Sequence, residues 1–110
     1  MNSITTHVLD TSTGKPARGV AIKLEFLSGS QFEDVGSGVT DDDGRLKTLL
    51  DGKAPLAGTY RITFDTGAYY GDAECFYPYL SIAFRIKDTS SHYHVPLLLS
   101  PFGIATYRGS

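Results

Sequence analysis

Residues 80–86 read LSIAFRI, a stretch in which four apolar side chains alternate with small or polar ones. Successive residues of a strand point to opposite faces, so this alternation gathers the apolar side chains on one face of an extended segment. Residues 20–26 and 60–64 alternate in the same way. The three stretches predict half-buried strands and an all-β fold.

Clusters of Gly, Pro, Asp and Ser separate the apolar stretches and predict turns between the strands. Short strands at this spacing are typical of a two-sheet β-sandwich. Residues 68–76 break the alternation and predict a short helix or an irregular crossover that ends before Pro78. We expect residues 1–110 to form a single domain. The eight predicted strands span residues 4–10, 20–27, 32–40, 45–50, 59–65, 80–87, 92–99 and 103–108.

The composition is that of a soluble globular protein, with 41% hydrophobic and 20% charged residues. Ten basic and twelve acidic residues give a net charge of -2, so the chain lacks the basic field that attracts nucleic acid or an anionic membrane surface. No segment approaches the ~20 apolar residues that span a bilayer, and residues 1–10 contain no secretory leader. We therefore expect a cytoplasmic protein with no nucleic-acid or membrane partner.

Cys75 is the single cysteine, which excludes an intrachain disulfide. It lies in the aromatic stretch 74–77, and this setting favours a packed, reduced thiol. A nucleophilic thiol is the less favoured interpretation.

The three histidines fall on strand faces that the apolar pattern does not assign to the core. Thr6 and Val8 share one face of the first predicted strand, so His7 points to the other. In residues 92–99 the odd-numbered positions are apolar, which leaves His92 and His94 on the opposite side. The pattern fits either three separate surface histidines or one site that gathers them.

A site formed by all three histidines would suit two kinds of chemistry. One is an open zinc site, in which His92 and His94 lie on one side of a strand and His7 supplies a third ligand. No carboxylate or cysteine at a matching spacing supports it. The other is general acid–base catalysis, because an imidazole titrates near neutral pH and can take a proton from water that attacks a carbonyl. We favour the second.

Arg45 follows the turn-forming stretch Asp41-Asp42-Asp43-Gly44 and begins a predicted strand. Its planar guanidinium suits an anionic or imide-like ligand, but composition alone favours a turn arginine that forms an ion pair with Asp41, Asp42 or Asp43. The aspartates themselves are typical of a solvated turn, since the later acidic ligand of a calcium loop is missing.

The carboxyl end reads PFGIATYRGS over residues 101–110 and continues the strand pattern without a polar tail. Chain ends usually fray, so this pattern predicts an ordered end. Ala105 and Tyr107 share a face, and Tyr107 together with Ser110 would close one side of a pocket. A last strand that only pairs with a sheet edge would show the same pattern.

Taken together, these motifs resemble the transthyretin family, and specifically its enzyme branch, the 5-hydroxyisourate hydrolases. The resemblance covers nearly the whole chain, and its late motifs are the most specific. The matching segments are Thr5-Thr6-His7-Val8-Leu9-Asp10, Gly14-Lys15-Pro16-Ala17, Asp43-Gly44-Arg45, Gly58-Thr59-Tyr60, Phe76-Tyr77-Pro78, His92-Tyr93-His94-Val95-Pro96-Leu97-Leu98-Leu99-Ser100-Pro101 and Tyr107-Arg108-Gly109-Ser110.

The resemblance implies a transthyretin-like two-sheet sandwich of eight strands with one short helix, assembled as a homotetramer from two dimers. It implies hydrolytic ring opening of 5-hydroxyisourate, the step after urate oxidation in purine degradation, with no metal and no cofactor. The implied site lies in a channel between subunits, with His7, Arg45 and His94 as catalytic residues. The implied substrate-binding residues are His92, Tyr107, Arg108, Gly109 and Ser110.

Two other function classes compete with this one. The resemblance implies that the hormone carriers of the same fold hold an iodinated aromatic ring in the channel. It also implies that those carriers lack the trio of His7, Arg45 and His94 and the Tyr-Arg-Gly-Ser ending. Two histidines and an arginine are also a poor lining for an apolar ring. A structural or adhesive sandwich domain predicts no clustering of titratable groups.

Overall fold

The computed structural model describes residues 3–109, which form nine strands and one short helix. The helix, α1 (Thr66–Tyr70), follows the sixth strand. The strands are β1 (Ile4–Asp10), β2 (Lys15–Pro16), β3 (Ala21–Ser28), β4 (Gln31–Val39), β5 (Arg45–Leu46), β6 (Gly58–Phe64), β7 (Leu80–Ile86), β8 (Tyr93–Leu99) and β9 (Ile104–Thr106). The all-β prediction is confirmed.

The strands form two sheets. One sheet has the order β2-β1-β8-β9, and β5 pairs with β1 on the edge that β2 also uses. The other sheet has the order β4-β3-β6-β7. The pairing of β1 with β8 is parallel, whereas the other pairs are antiparallel. The predicted two-sheet sandwich is therefore confirmed, and the first strand of the chain lies beside the strand that carries His94.

The core lies between the sheets and follows the predicted alternation. In β8 the odd-numbered residues are buried, and in β1 Ile4, Thr6 and Val8 are fully buried. β6 contributes Tyr60, whose ring packs edge-on against Phe26. Each fully buried aliphatic or aromatic side chain stabilises the fold by about 1.5–3 kcal/mol. The opposite faces of β1 and β8 are thereby left for polar side chains.

The predicted strand over residues 45–50 is wrong in its second half, because β5 ends at Leu46. Leu49 and Leu50 are both buried, and a strand would have directed two consecutive residues to opposite faces. A turn directs both inward instead, with Asp51 at a φ of 49°. The turn packs closely on β4, where a Cβ at Gly36 would lie 1.6 Å from the carbonyl oxygen of Leu49.

The helix predicted within residues 68–76 begins earlier and is shorter. The Asp65 side chain accepts a hydrogen bond of 3.1 Å from the backbone N–H of Ala68 and so caps the amino end of α1. Gly71, with a φ of 61°, ends the helix. The rest of the predicted segment is irregular, and within it the half-buried Cys75 thiol donates to the carbonyl of Tyr77.

Candidate active site

Strand pairing brings the predicted catalytic residues onto one face of the first sheet. His7 lies opposite Arg45 in the antiparallel pair of β1 with β5, and Thr5 lies opposite His94 in the parallel pair of β1 with β8. Directly paired residues share a face, and Thr5 and His7 share one because they are two residues apart. Three strands therefore present His7, Arg45 and His94 on the face turned away from the core.

An open depression of about 450 Å³ lies on this face. Each residue that lines it carries a polar side chain, and His7 lies beside the depression, opposite Arg45. The lining residues are Ser3, Thr5, Thr6, Arg45, Lys47, His92 and His94.

A chain of hydrogen bonds connects His94 of β8 with His92, which directly precedes that strand. The hydroxyl oxygen of Thr5 lies 2.7 Å from Nδ1 of His94 and 3.2 Å from Nε2 of His92. Nδ1 of His92 lies 2.5 Å from the hydroxyl of Ser3. The two imidazole rings stack with centroids 6.3 Å apart and planes 16° from parallel. Because Nδ1 of His94 is engaged by Thr5, Nε2 is the nitrogen of that ring left for a substrate or a water molecule.

The environment of His94 favours its neutral form. Burial lowers the pKa of His94 below its usual value of 6.5, and the nearby charges of His92, His7 and Arg45 lower it further. A neutral imidazole at neutral pH has a lone pair with which to accept a proton. His94 therefore has the protonation state that a general base requires.

The aspartates of residues 41–43 hold the backbone of Arg45. Oδ1 of Asp41 accepts hydrogen bonds of 2.9 Å from the backbone N–H groups of Asp43 and Arg45, which keep the pKa of Asp41 below its ordinary value. Asp42 pairs with Arg18 at 2.8 Å. Within residues 3–109 the guanidinium of Arg45 forms no ion pair, so the ion-pair interpretation of Arg45 is wrong. Arg45 is exposed and lines the depression, and its guanidinium has five N–H donors.

The described part of the carboxyl-terminal segment contacts His94 and also lines a second depression. The backbone N–H of Gly109 donates a 2.8 Å hydrogen bond to the carbonyl of His94. Tyr107 and Arg108 line a neighbouring depression of about 430 Å³ that His94 also borders, and the Arg108 guanidinium lies 4.4 Å from the centroid of the Tyr93 ring. Ser110, the last predicted substrate-binding residue, lies outside the described residues.

The histidines do not form a metal cage with other ligands in this part of the chain. No group of three His, Cys, Asp or Glu side chains within residues 3–109 is placed to hold a metal ion.

Over the same residues, no helix is long and apolar enough to cross a membrane.

The comparisons with known proteins agree with this geometry. The sequence profile of the HIUase/Transthyretin family matches residues 4–109. The chain belongs to the HIUase/transthyretin family. The 5-hydroxyisourate hydrolase of Salmonella typhimurium is 45% identical over 111 residues, which are 99% of this chain and 82% of that protein. The 5-hydroxyisourate hydrolase of Halalkalibacterium halodurans is 44% identical over 115 residues and 97% of each chain.

Solved structures from both branches of the HIUase/transthyretin family share the fold. The 5-hydroxyisourate hydrolase of Klebsiella pneumoniae matches with a TM-score of 0.85 and 36% identity, over 98% of this chain and 99% of that one. Sea bream transthyretin in complex with thyroxine matches with a TM-score of 0.91 and 31% identity, over 97% and 94%. Both branches share this backbone, so the fold alone does not separate them.

Sequence reasoning missed four residues of the depression, namely Ser3, Thr5, Thr6 and Lys47. Thr5 had a usable signal, because it shares a strand face with His7. Its contact with His94 depends on the parallel pairing of β1 with β8, which no local pattern reveals.

Proposed function

We propose that this chain hydrolyses 5-hydroxyisourate by opening its ring at an acyl carbon–nitrogen bond. One observation carries the proposal: strand register places His7, His94 and the Arg45 guanidinium on one face, around or beside one polar depression. Relatives named 5-hydroxyisourate hydrolase are 42–45% identical over nearly the whole chain. The chain is thus a hydrolase of a cyclic amide in urate degradation.

The roles follow from the chemistry of each group. Nε2 of His94 takes a proton from water while the water oxygen attacks the ring carbonyl, and His7 helps to position that water. Arg45 donates hydrogen bonds to the oxyanion that forms. When this intermediate collapses, the carbon–nitrogen bond breaks, the ring nitrogen takes a proton, and a carboxylate product, OHCU, leaves. General-base catalysis contributes about 10²–10⁴-fold and an oxyanion donor about 10²–10³-fold.

We propose that the remaining predicted residues bind or orient the substrate. His92 lines the depression and supports His94 through Thr5. The segment from Tyr107 to Ser110 follows β9, and its Gly109 is hydrogen-bonded to His94. These contacts support a carboxyl end that forms one wall of the site.

The second candidate function is that of a carrier, because the structural match to the thyroxine complex of sea bream transthyretin is close. The polar lining opposes it. An apolar aromatic ligand gains affinity mainly from apolar side chains around it, whereas the residues around this depression are Ser, Thr, Arg, Lys and His. A small, polar, carbonyl-rich ring makes better use of such donors.

The experiment adds the purified protein to freshly prepared 5-hydroxyisourate and follows the loss of its ultraviolet absorbance against the spontaneous decay. Mass spectrometry of the product should show the gain of one water. We expect full activity after treatment with EDTA, since no step uses a metal. Failure to accelerate the decay would refute the proposed function.

A pair of arginine variants tests whether the depression is the site. Arg45→Gln should lower kcat/KM by about 10²–10³-fold through loss of the oxyanion donor. Arg18→Gln removes the same charge from an exposed ion pair and should leave the rate unchanged, because exposed pairs contribute little. Equal rates in the two variants would place the chemistry elsewhere.

We also propose that the chain assembles as a homotetramer, forms one domain over residues 1–110 and acts in the cytoplasm. Exposed Ile104 and Tyr107 on and beside β9 support an intersubunit contact along this sheet edge. Light scattering after gel filtration should give four times the chain mass of 11.9 kDa. A monomer that hydrolyses the substrate would refute the assembly while leaving the activity.

A further inference from the structure

Within residues 3–109, the hydroxyl of Thr5 is the single group that is hydrogen-bonded to both His92 and His94. It lies 2.7 Å from Nδ1 of His94 and 3.2 Å from Nε2 of His92, and Thr5 is only 9% exposed. The parallel register of β1 with β8 fixes this placement, because Thr5 is the direct partner of His94. The contact is therefore built into the sheet.

We propose that Thr5 is a positioning residue that selects the tautomer of His94 and fixes the orientation of its ring. A threonine hydroxyl donates one hydrogen bond and accepts up to two, while a neutral imidazole has one donor nitrogen and one acceptor nitrogen. These rules leave three consistent arrangements for the chain Ser3–His92–Thr5–His94. In two of them all donors point in one direction along the chain, and in the third Thr5 accepts from both histidines while Ser3 donates to His92. The inference rests on the proposed function for its catalytic consequence.

In the first direction Nδ1–H of His94 donates to Thr5, and the Thr5 hydroxyl donates to Nε2 of His92. Nδ1–H of His92 then donates to Ser3. This direction leaves a bare lone pair on Nε2 of His94, which is the form that accepts a proton from water. In the second direction Ser3 donates to His92, His92 donates to Thr5 and Thr5 donates to His94, so that Nε2 of His94 carries the hydrogen and cannot act as a base.

The proposed hydrolysis requires that Nδ1–H of His94 donates to Thr5, which is the case in the first direction and when Thr5 accepts from both histidines. The role of Thr5 is comparable to that of a group that orients a catalytic histidine through its second nitrogen. Without the hydroxyl, Nδ1 of His94 would lose its side-chain partner in a half-buried site, and both tautomers and several ring angles would become accessible. A geometric error of about 1 Å at a reacting group can cost about 10²-fold in rate.

Thr5→Val tests the proposal because it removes the hydroxyl and keeps the branched shape that suits a strand. We expect kcat to fall about 10- to 100-fold while KM changes by less than about threefold. Thr5→Ser restores the hydroxyl and should recover most of the rate. Thr63→Val is the matched control, because it removes an exposed threonine hydroxyl from β6 on the other sheet.

A second measurement reads the tautomer without using activity. Nitrogen-15 NMR of the histidine side chains should show Nδ1–H on His94 in the wild type and in Thr5→Ser, and a mixture of tautomers in Thr5→Val. A wild-type kcat with an unchanged tautomer in Thr5→Val would overturn the proposal, as would Nε2–H on His94 in the wild type. If the wild type fails to hydrolyse 5-hydroxyisourate, the proposed function is refuted, and the NMR comparison still decides whether Thr5 controls His94.

Discussion

Gly109 provides a sharp test of the site, because the residue is packed against His94 and has no room for a side chain. A Cβ built at this position would lie 2.6 Å from Cδ2 of His94 and 3.2 Å from Cγ of Pro96. Its φ lies outside the left-handed region, so the restriction comes from the neighbouring side chains. Carbon atoms are in favourable contact at about 3.5–4.0 Å. Gly109→Ala must therefore move the His94 ring or the chain end by about 1 Å.

Either displacement should affect catalysis much more than stability. A shift of about 1 Å in a catalytic group can cost about 10²-fold, and we expect kcat/KM for 5-hydroxyisourate to fall by that factor. If the chain end moves instead, the bond from the Gly109 N–H to the His94 carbonyl is lost, with a contribution of about 0.5–1.5 kcal/mol. Such a loss lowers Tm by no more than about 10 °C in a domain of this size.

Gly103→Ala is the matched control in the same carboxyl-terminal segment. A Cβ at Gly103 meets only the hydroxyl oxygen of Ser100 at 3.6 Å, which is an ordinary contact. The absorbance assay and a thermal melt should therefore give wild-type values for this variant. Wild-type kcat/KM in Gly109→Ala would show that the chain end does not hold His94 in place, and would refute the reasoning.

Three further predictions concern pH, stability and substrate binding. Because the pKa of His94 is lowered by burial and by neighbouring charges, the acid limb of the kcat/KM profile should lie below pH 6.5, and His92→Gln should move it upward. Asp10→Asn should lower the free energy of unfolding by about 1–3 kcal/mol at pH 7, because the amide nitrogen that replaces one carboxylate oxygen cannot accept the hydrogen bond from Tyr69 or those from Ser12. Arg108→Ala should raise KM about tenfold with little change in kcat, because a charge-assisted hydrogen bond to the substrate is lost. An unchanged KM would show that Arg108 only stacks on Tyr93.

The stability prediction has a defined pH window. Burial raises the pKa of Asp10, but hydrogen bonds from Ser12 and Tyr69 outweigh it and bring the pKa below the ordinary 3.8. A carboxyl with a lowered folded-state pKa stabilises fully above its unfolded pKa and loses that contribution as the pH falls through the folded value. Urea unfolding of wild type and Asp10→Asn should therefore converge below pH 3.8, and a constant difference would contradict the assignment.

The sequence predicted the strands well where one face of the strand is apolar. Residues 80–86 and 93–99 show the alternation clearly, and their strands were placed to within one residue. Residues 47–50 could not be placed from a local pattern, because Leu49 and Leu50 are buried by a turn that packs on Gly36 of β4 in the other sheet.

The alternation of side chains along each strand predicted which residues face the site, but the order in which the strands pair decides which of these residues lie close together. The alternation placed His7 and His94 on faces turned away from the core, and the parallel pairing of β1 with β8 brings them close together. For Arg45 the local sequence allowed an ion pair, and only the structure reveals that Asp41 accepts hydrogen bonds from the backbone. Thr5 was missed because a threonine in a strand is ordinary until its partner strand is known.

The most direct test of the proposed hydrolase is the rate of 5-hydroxyisourate loss catalysed by His94→Asn compared with the wild type. Asparagine keeps a polar side chain of similar reach but cannot accept the proton from water, so kcat should fall by at least about 10²-fold. Circular dichroism and light scattering should show an unchanged fold and assembly. A near-normal kcat in correctly folded His94→Asn would contradict the central claim that His94 is the base of this site.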